Sequence, residues 1–170
     1  AHVTLVNASV SVEPPMFVDV VNVTSAADMA EVVKSKAAEQ DIIIMTAAVA
    51  DFRPSHPADE KIKKKDSSYE SVIELERTED ILSYLGAHKA KGQLICGFSM
   101  ETQNMLENSK AKLAKKNADM IVANNLKVAG AGFGTDTNVV TLITADDCTE
   151  LEIMDKSCVA ARIMDRLLQM

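Results

Sequence analysis

The stretch Asp41-Ile42-Ile43-Ile44-Met45-Thr46-Ala47-Ala48-Val49-Ala50-Asp51 decides the fold class. Its first five residues form a continuous, largely β-branched run. Such a run suits a parallel strand buried on both faces. Small residues follow, and these let a backbone approach a flat ligand closely. The aspartate beyond them can accept hydrogen bonds from ribose hydroxyls or a base amine, or hold a cation. The same segment also reads as a tight strand-to-loop turn in which Asp51 caps the turn or pairs with Arg53.

Upstream of this stretch, His2–Val6 and Phe17–Val23 are Val-rich and read as strands. Ser25 or Thr24 caps a helix to about Ala38, with Met29, Val32, Val33 and Ala37 on one face. Downstream, Ser71–Arg77 alternates like a strand and Ile81–Ala90 is helical. Leu94–Phe98 is a second buried strand, Met105–Lys116 a helix and Met120–Ala123 a strand. Val139–Thr144 and Thr149–Ile153 form an antiparallel pair around Ala145–Asp147. Lys156–Leu168 closes the chain as a helix, with Val159, Ile163 and Leu167 at spacing four. Strands alternating with helices indicate an α/β fold with a largely parallel central sheet. Its ligands are expected beyond the carboxyl ends of the strands. Ala47–Asp51, Ser99–Thr102 and Asn124–Asn125 occupy such positions.

The 170 residues suit one domain covering positions 1–170. Hydrophobic residues make up 47% and charged residues 25%, an ordinary globular mix. No apolar run approaches the roughly 20 residues of a membrane helix, and the N-terminus has no signal-peptide pattern. Three scattered cysteines, Cys96, Cys148 and Cys158, form no metal spacing and fit a reduced, cytoplasmic setting. A net charge of −7 argues against a nucleic-acid partner. Small anions need only a local basic cluster.

Two such clusters occur. Lys61-Ile62-Lys63-Lys64-Lys65 is either a solvated, lysine-protected edge or a flap that brings ammonium groups onto phosphates. Lys112, Lys115 and Lys116 share a helical face at spacings of three and four, where like charges repel unless an anion sits among them. A solvated face is the other reading. In Gly97-Phe98-Ser99-Met100-Glu101-Thr102, Phe98 either stacks on a base or fills the core. Phe133-Gly134-Thr135-Asp136-Thr137-Asn138 reads as a turn. Gly130, Gly132 and Gly134 make a weak dinucleotide fingerprint. His2, His56 and His88 fit neither a catalytic triad nor a metal site, and neither Tyr69 nor Tyr84 has the lysine four residues on that a short-chain oxidoreductase needs.

The order of these segments, AAVADFRP, KIKKK, the TEDI turn, GFSMET, Lys112 and Lys116 ahead of ADMIVANN, then FGTDTN, resembles the phosphopantothenoylcysteine synthetase family. The likeness is to the C-terminal synthetase part of the bacterial bifunctional coenzyme A biosynthesis flavoprotein, from about Val3 to the final helix. It implies a Rossmann-like, mostly parallel sheet with an added β flap or hairpin region. It also implies a ligase that joins 4'-phosphopantothenate to L-cysteine through an acyl cytidylate, with CTP as co-substrate and Mg²⁺ on the phosphates. By position, Met45, Thr46, Ala47, Ala48 and Asp51 would contact the nucleoside. Lys61 would be the catalytic flap lysine. Thr78, Glu79, Asp80, Ile81 and Phe98 would frame the cytosine, and Lys112 and Lys116 would complete the site. The resemblance further implies a homodimer, fused to or working with a flavin-dependent decarboxylase, with no FMN site here. The family's opening Gly-rich strand, turn and helix have no match, so the chain is expected to be truncated at its N-terminus and to start at the family's second strand. The alternative is a catalytically silent nucleotide-binding or assembly module.

Overall fold

The computed structural model describes residues 1–8, 10, 12–58, 60–61, 72–101, 104–125 and 134–170. Ile62–Lys65, Tyr69, Ser71, Thr102, Gly130, Gly132 and Phe133, named above, lie outside them. The chain divides into two compact units: Ala1–Val33 with Ala48–Asp80, and Lys34–Ala47 with Ile81–Met170.

In the first unit, β1 (Thr4–Ala8) runs parallel to β2 (Asp19–Val23), in register from Thr4 opposite Asp19 to Ala8 opposite Val23. Both strands are shifted from the expected spans. Phe17 stands at φ 65° and is almost fully exposed, so the chain is still turning there. The next strand starts only at Asp19. Helix α1 (Ala26–Ala37), whose residues from Lys34 on belong to the second unit, follows a reciprocal cap. Ser25 Oγ accepts from the Asp28 amide at 3.1 Å, and Asp28 Oδ2 accepts from the Ser25 amide at 2.9 Å. The Thr24 hydroxyl, which donates to Asp28 Oδ2 at 2.8 Å, followed by the Ser25 side chain and the Thr24 and Ser25 amides, holds the Asp28 carboxyl below its usual range. The first unit also contains an antiparallel ribbon of β4 (Phe52–Pro54) and β5 (Leu75–Arg77). Cross-strand partners Arg53 and Glu76 form an ion pair at 2.7 Å, so Arg53 has a partner other than Asp51, which the turn reading offered as one option. The Arg77 guanidinium lies 5.2 Å from the Phe52 ring centre.

The second unit is built on a five-stranded sheet. Its parallel part is β3 (Ile42–Met45), β6 (Leu94–Glu101) and β7 (Met120–Asn125). Two antiparallel strands, β9 (Val140–Ile143) and β10 (Cys148–Glu150), extend it beyond β7. A small pair, β8 (Thr137–Asn138) and β11 (Met154–Asp155), precedes helix α4 (Lys156–Leu168). Period-two alternation sorts the side chains between two faces. On one face Cys96, Met120, Val122, Val140 and Leu142 pack under Val159, Ile163 and Leu167 of α4. The opposite face carries Ile95, Gly97, Ile121 and Ala123. A Cβ on Gly97 would stand 2.6 Å from Leu82 Cδ2, which places α2 (Ile81–Ala87) on that face. Helix α3 (Met105–Lys115) stands beside α2, since Asn117 Nδ2 donates to the Gly86 carbonyl at 2.7 Å. Burying both faces of the sheet removes from water the apolar area that stabilises the unit.

Three expectations are corrected. The Ile42–Met45 strand is parallel but only half buried, because it lies at the edge of its sheet and, among the described residues, pairs with β6 alone. Strands β6 and β7 run on through Glu101 and Asn125, so Ser99–Glu101 and Asn124–Asn125 lie within strands rather than after them. Backbone pairing continues there although the apolar pattern has ended. Helix α2 stops at Ala87 instead of Ala90, because the Ala90–Gln93 turn, with Gly92 at φ 84°, must feed β6.

Candidate functional site

The carboxyl ends of β3 and β6 in the second unit carry the first group of candidates. Met45 ends β3 half buried, and Thr46 and Ala47 follow it exposed. Phe98 is half buried against the core under α4, which favours the core reading of its ring. Its carbonyl accepts a hydrogen bond from Lys112 Nζ at 2.9 Å. Lys116 Nζ donates to Ser83 Oγ on α2, also at 2.9 Å. The two ammonium groups are thus turned inward from one helix, a turn apart, against β6 and α2. Lys115 instead is exposed, so the expected face of three lysines resolves into an inward pair and one outward charge. A lysine ammonium has three N–H donors, and the Phe98 carbonyl uses one on Lys112. A pair of fixed positive charges beside the carboxyl-terminal half of a parallel strand suits a phosphate-bearing ligand. Ile81 opens α2 with its side chain buried, so only its backbone could meet a ligand.

The first unit carries the second group. Thr78 closes onto the segment after Ala48: its amide donates to the Asp51 carbonyl at 3.0 Å, and its hydroxyl donates to the Ala50 carbonyl. Two motifs distant in sequence, AAVAD and TEDI, are thereby joined. Ala48, Asp51, Glu79 and Asp80 are exposed. Lys61 is exposed as well, and the remaining lysines of its cluster lie outside the described residues.

Sequence reading missed Ser83 as a partner of Lys116, and it missed the tie between the FGTDTN segment and β7. Asn138 Nδ2 donates to Asn124 Oδ1 at 3.0 Å, while Asn138 Oδ1 accepts from the Val139 amide at 2.9 Å. Thr137 and Asn138 form β8 rather than the expected turn, and among the described residues of the segment Gly134–Asp136 turn. The sole hint of this bond in sequence was the pair Asn124–Asn125 after an apolar strand.

Among the described residues, no three His, Cys, Asp or Glu side chains converge on a metal position, and no helix is long and apolar enough to cross a membrane. Residues 1–170 match the family described as DNA/pantothenate metabolism flavoprotein C-terminal domain. The chain belongs to this family. The expected α/β class is borne out by a solved member of the group, the C-terminal domain of coenzyme A biosynthesis bifunctional protein CoaBC. That structure superposes with a TM-score of 0.80 at 41% identity, over 99% of this chain and 75% of that one. The CoaBC protein of Bacillus subtilis (strain 168) is 46% identical over 169 residues, covering 98% of this chain and 41% of that protein. A relative from an unknown prokaryotic organism, named cysteine/cysteine sulfinic acid decarboxylase, is 45% identical over 170 residues and 47% of its own length. The chain thus spans less than half the length of these curated relatives.

Proposed function

We propose that this family member is the ligase domain that joins 4'-phosphopantothenate to cysteine in coenzyme A biosynthesis, using CTP. The observation that carries the reading is the inward lysine pair, Lys112 on the Phe98 carbonyl and Lys116 on Ser83, in a chain 46% identical to CoaBC. In the proposed reaction the substrate carboxylate attacks the α-phosphate of CTP and pyrophosphate leaves. The cysteine amine then attacks the activated carbonyl, and CMP leaves as the amide forms. Phosphoryl transfer needs in-line positioning and positive charge where negative charge builds.

Lys112 and Lys116 would supply that charge on the phosphates, and Lys61, on a flexible stem, would follow the oxygen that gains charge at the transferring phosphorus. Met45–Ala48, Asp51, Thr78–Ile81 and the Phe98 region would contact the nucleoside. The described side chains form no metal cage, so Mg²⁺ enters the proposal as the counter-ion that the triphosphate brings with it. A homodimer and a partner decarboxylase domain belong to the same proposal.

The experiment is pyrophosphate release by the full-length protein with 4'-phosphopantothenate, cysteine and Mg²⁺, with CTP or ATP in parallel. Release that requires both co-substrates and prefers CTP is the expected result. Release with neither nucleotide overturns the reading. A second reading, a nucleotide-binding module without ligase activity, is favoured by one observation. A relative 45% identical carries a name that describes a decarboxylation, not a ligation. Nucleotide binding without pyrophosphate release would support it.

A further inference from the structure

The face of the sheet that packs under α4 does not end with its apolar core. Phe98 is the last residue of β6 packed against that core, and Met100, two residues on along the same face, is 41% exposed. Met100 stands in register with Asn124 of β7, and register partners in adjacent strands share a face. Asn124 is half buried there, in register with Val140 on its other side. An apolar shelf and one amide therefore lie together at the carboxyl end of the parallel strands.

The orientation of that amide follows from the hydrogen bonds around it. The Val139 backbone amide can only donate, so the Asn138 atom facing it must be the oxygen. Asn138 then presents its NH₂ group to Asn124, so the Asn124 atom facing Asn138 must also be an oxygen. The Asn124 NH₂ group is left pointing away from this pair, and among the described residues no acceptor pairs with it. Both side-chain amides are thus fixed by a backbone donor rather than by a free choice of rotamer.

A neutral NH₂ group beside a methionine suits a neutral carbonyl oxygen on a partly apolar chain better than it suits a phosphate. The cationic groups for a phosphate, Lys112 and Lys116, come from the α3 helix, which stands beside α2 on the opposite face of the sheet. We propose that Asn124, held by Asn138 and flanked by Met100, donates to the amide carbonyl of the acyl substrate and selects a chain that carries one. The inference rests on the ligase reading, in which that substrate is 4'-phosphopantothenate, whose pantoyl and β-alanyl parts are joined by such an amide. Asn138 is the positioning residue, because it acts through Asn124.

The test measures KM for each substrate in the full-length protein carrying Asn124→Ala or Asn124→Asp. The aspartate is isosteric, still accepts from Asn138 and lacks the donors. Losing one neutral hydrogen bond is expected to raise KM for 4'-phosphopantothenate by about tenfold. The aspartate variant should lose at least as much, and KM for the nucleotide should stay within about twofold in both. Asn138→Ala should raise the same KM by a smaller factor. A merely structural strut between β7 and β8 would shift the melting temperature and leave the ratio of the two KM values unchanged. That outcome overturns the inference, as does a change confined to the nucleotide KM. If the wild-type protein joins the two substrates and both Asn124 variants keep its KM, this inference alone fails. If the wild-type protein joins nothing, the ligase reading fails and takes the inference with it.

Discussion

Replacing Gly86 by alanine should destabilise the protein, although in most helices that substitution is stabilising. Gly86 sits near the end of α2 and is buried, with no positive φ to explain its glycine. Its reason is space. A Cβ there would lie 1.8 Å from the Lys116 carbonyl oxygen and 2.8 Å from the carbonyl carbon. Even a tight contact of about 3 Å requires the α2 and α3 backbones to separate by roughly 1 Å. Asn117 Nδ2, which bonds the Gly86 carbonyl at 2.7 Å, opposes that separation. Alanine gains about 1 kcal/mol of helix propensity over glycine. Overpacking against a rigid backbone costs at least the upper end of the usual ~1–3 kcal/mol. The net loss is therefore about 2 kcal/mol or more, or roughly 4–8 °C in melting temperature for a chain of this size. The same displacement would carry Lys116 away from Ser83. Urea titration and thermal melts of the wild type and Gly86→Ala check this. A Gly86→Ala variant as stable as the wild type, or more stable, would refute the packing argument.

Leu167→Ala removes a fully buried side chain of α4 from the core and should cost about 2–5 kcal/mol, whereas the exposed neighbour Leu168→Ala should stay within about 0.5 kcal/mol; urea titration measures both. Burial, helped by the nearby Asp119 carboxylate, pushes the Cys96 thiol from 9.0 up to about 12. A native thiol titration should therefore modify the exposed Cys148 and Cys158 and spare Cys96 until the chain unfolds. The sign for alkaline stability follows. Above 9.0 the unfolded thiol loses its proton while the folded one keeps it, so stability should fall as pH rises towards 12, by up to about 1.4 kcal/mol per unit. Denaturant midpoints across that range, compared with Cys96→Ala, give the slope. Lys61→Gln should lower turnover far more than nucleotide affinity, and a loss of activity under about tenfold would sink the flap-lysine role.

Legibility followed the strength of the periodic signal. The apolar runs at 94–98 and 120–123 marked β6 and β7, and the spacing of Val159, Ile163 and Leu167 marked α4 and its buried stripe. The antiparallel β9–β10 pair was also legible from its turn. Strand β4 was not, because Phe52–Pro54 is three residues long, contains a proline and is exposed throughout. Nothing in such a segment alternates, and only its pairing with Leu75–Arg77 defines it. The two-residue strands β8 and β11 escaped for the same reason. Among the site residues, the helical spacing of Lys112 and Lys116 correctly placed them a turn apart. Their partners could not be read, since a backbone carbonyl at Phe98 and a hydroxyl at Ser83 leave no pattern in sequence. Asn138 and Asn124 met only because the chain returned to the end of β7.

In the proposed function, Lys112 and Lys116, packed from α3 against β6 and α2, serve a nucleotide-dependent ligase. The most direct measurement is pyrophosphate release by the full-length protein, with 4'-phosphopantothenate, cysteine and Mg²⁺, comparing CTP with ATP. Release should depend on 4'-phosphopantothenate and be faster with CTP, with product formed only when cysteine is added. Absence of release with either nucleotide, from a folded protein that still binds one, would contradict the ligase reading.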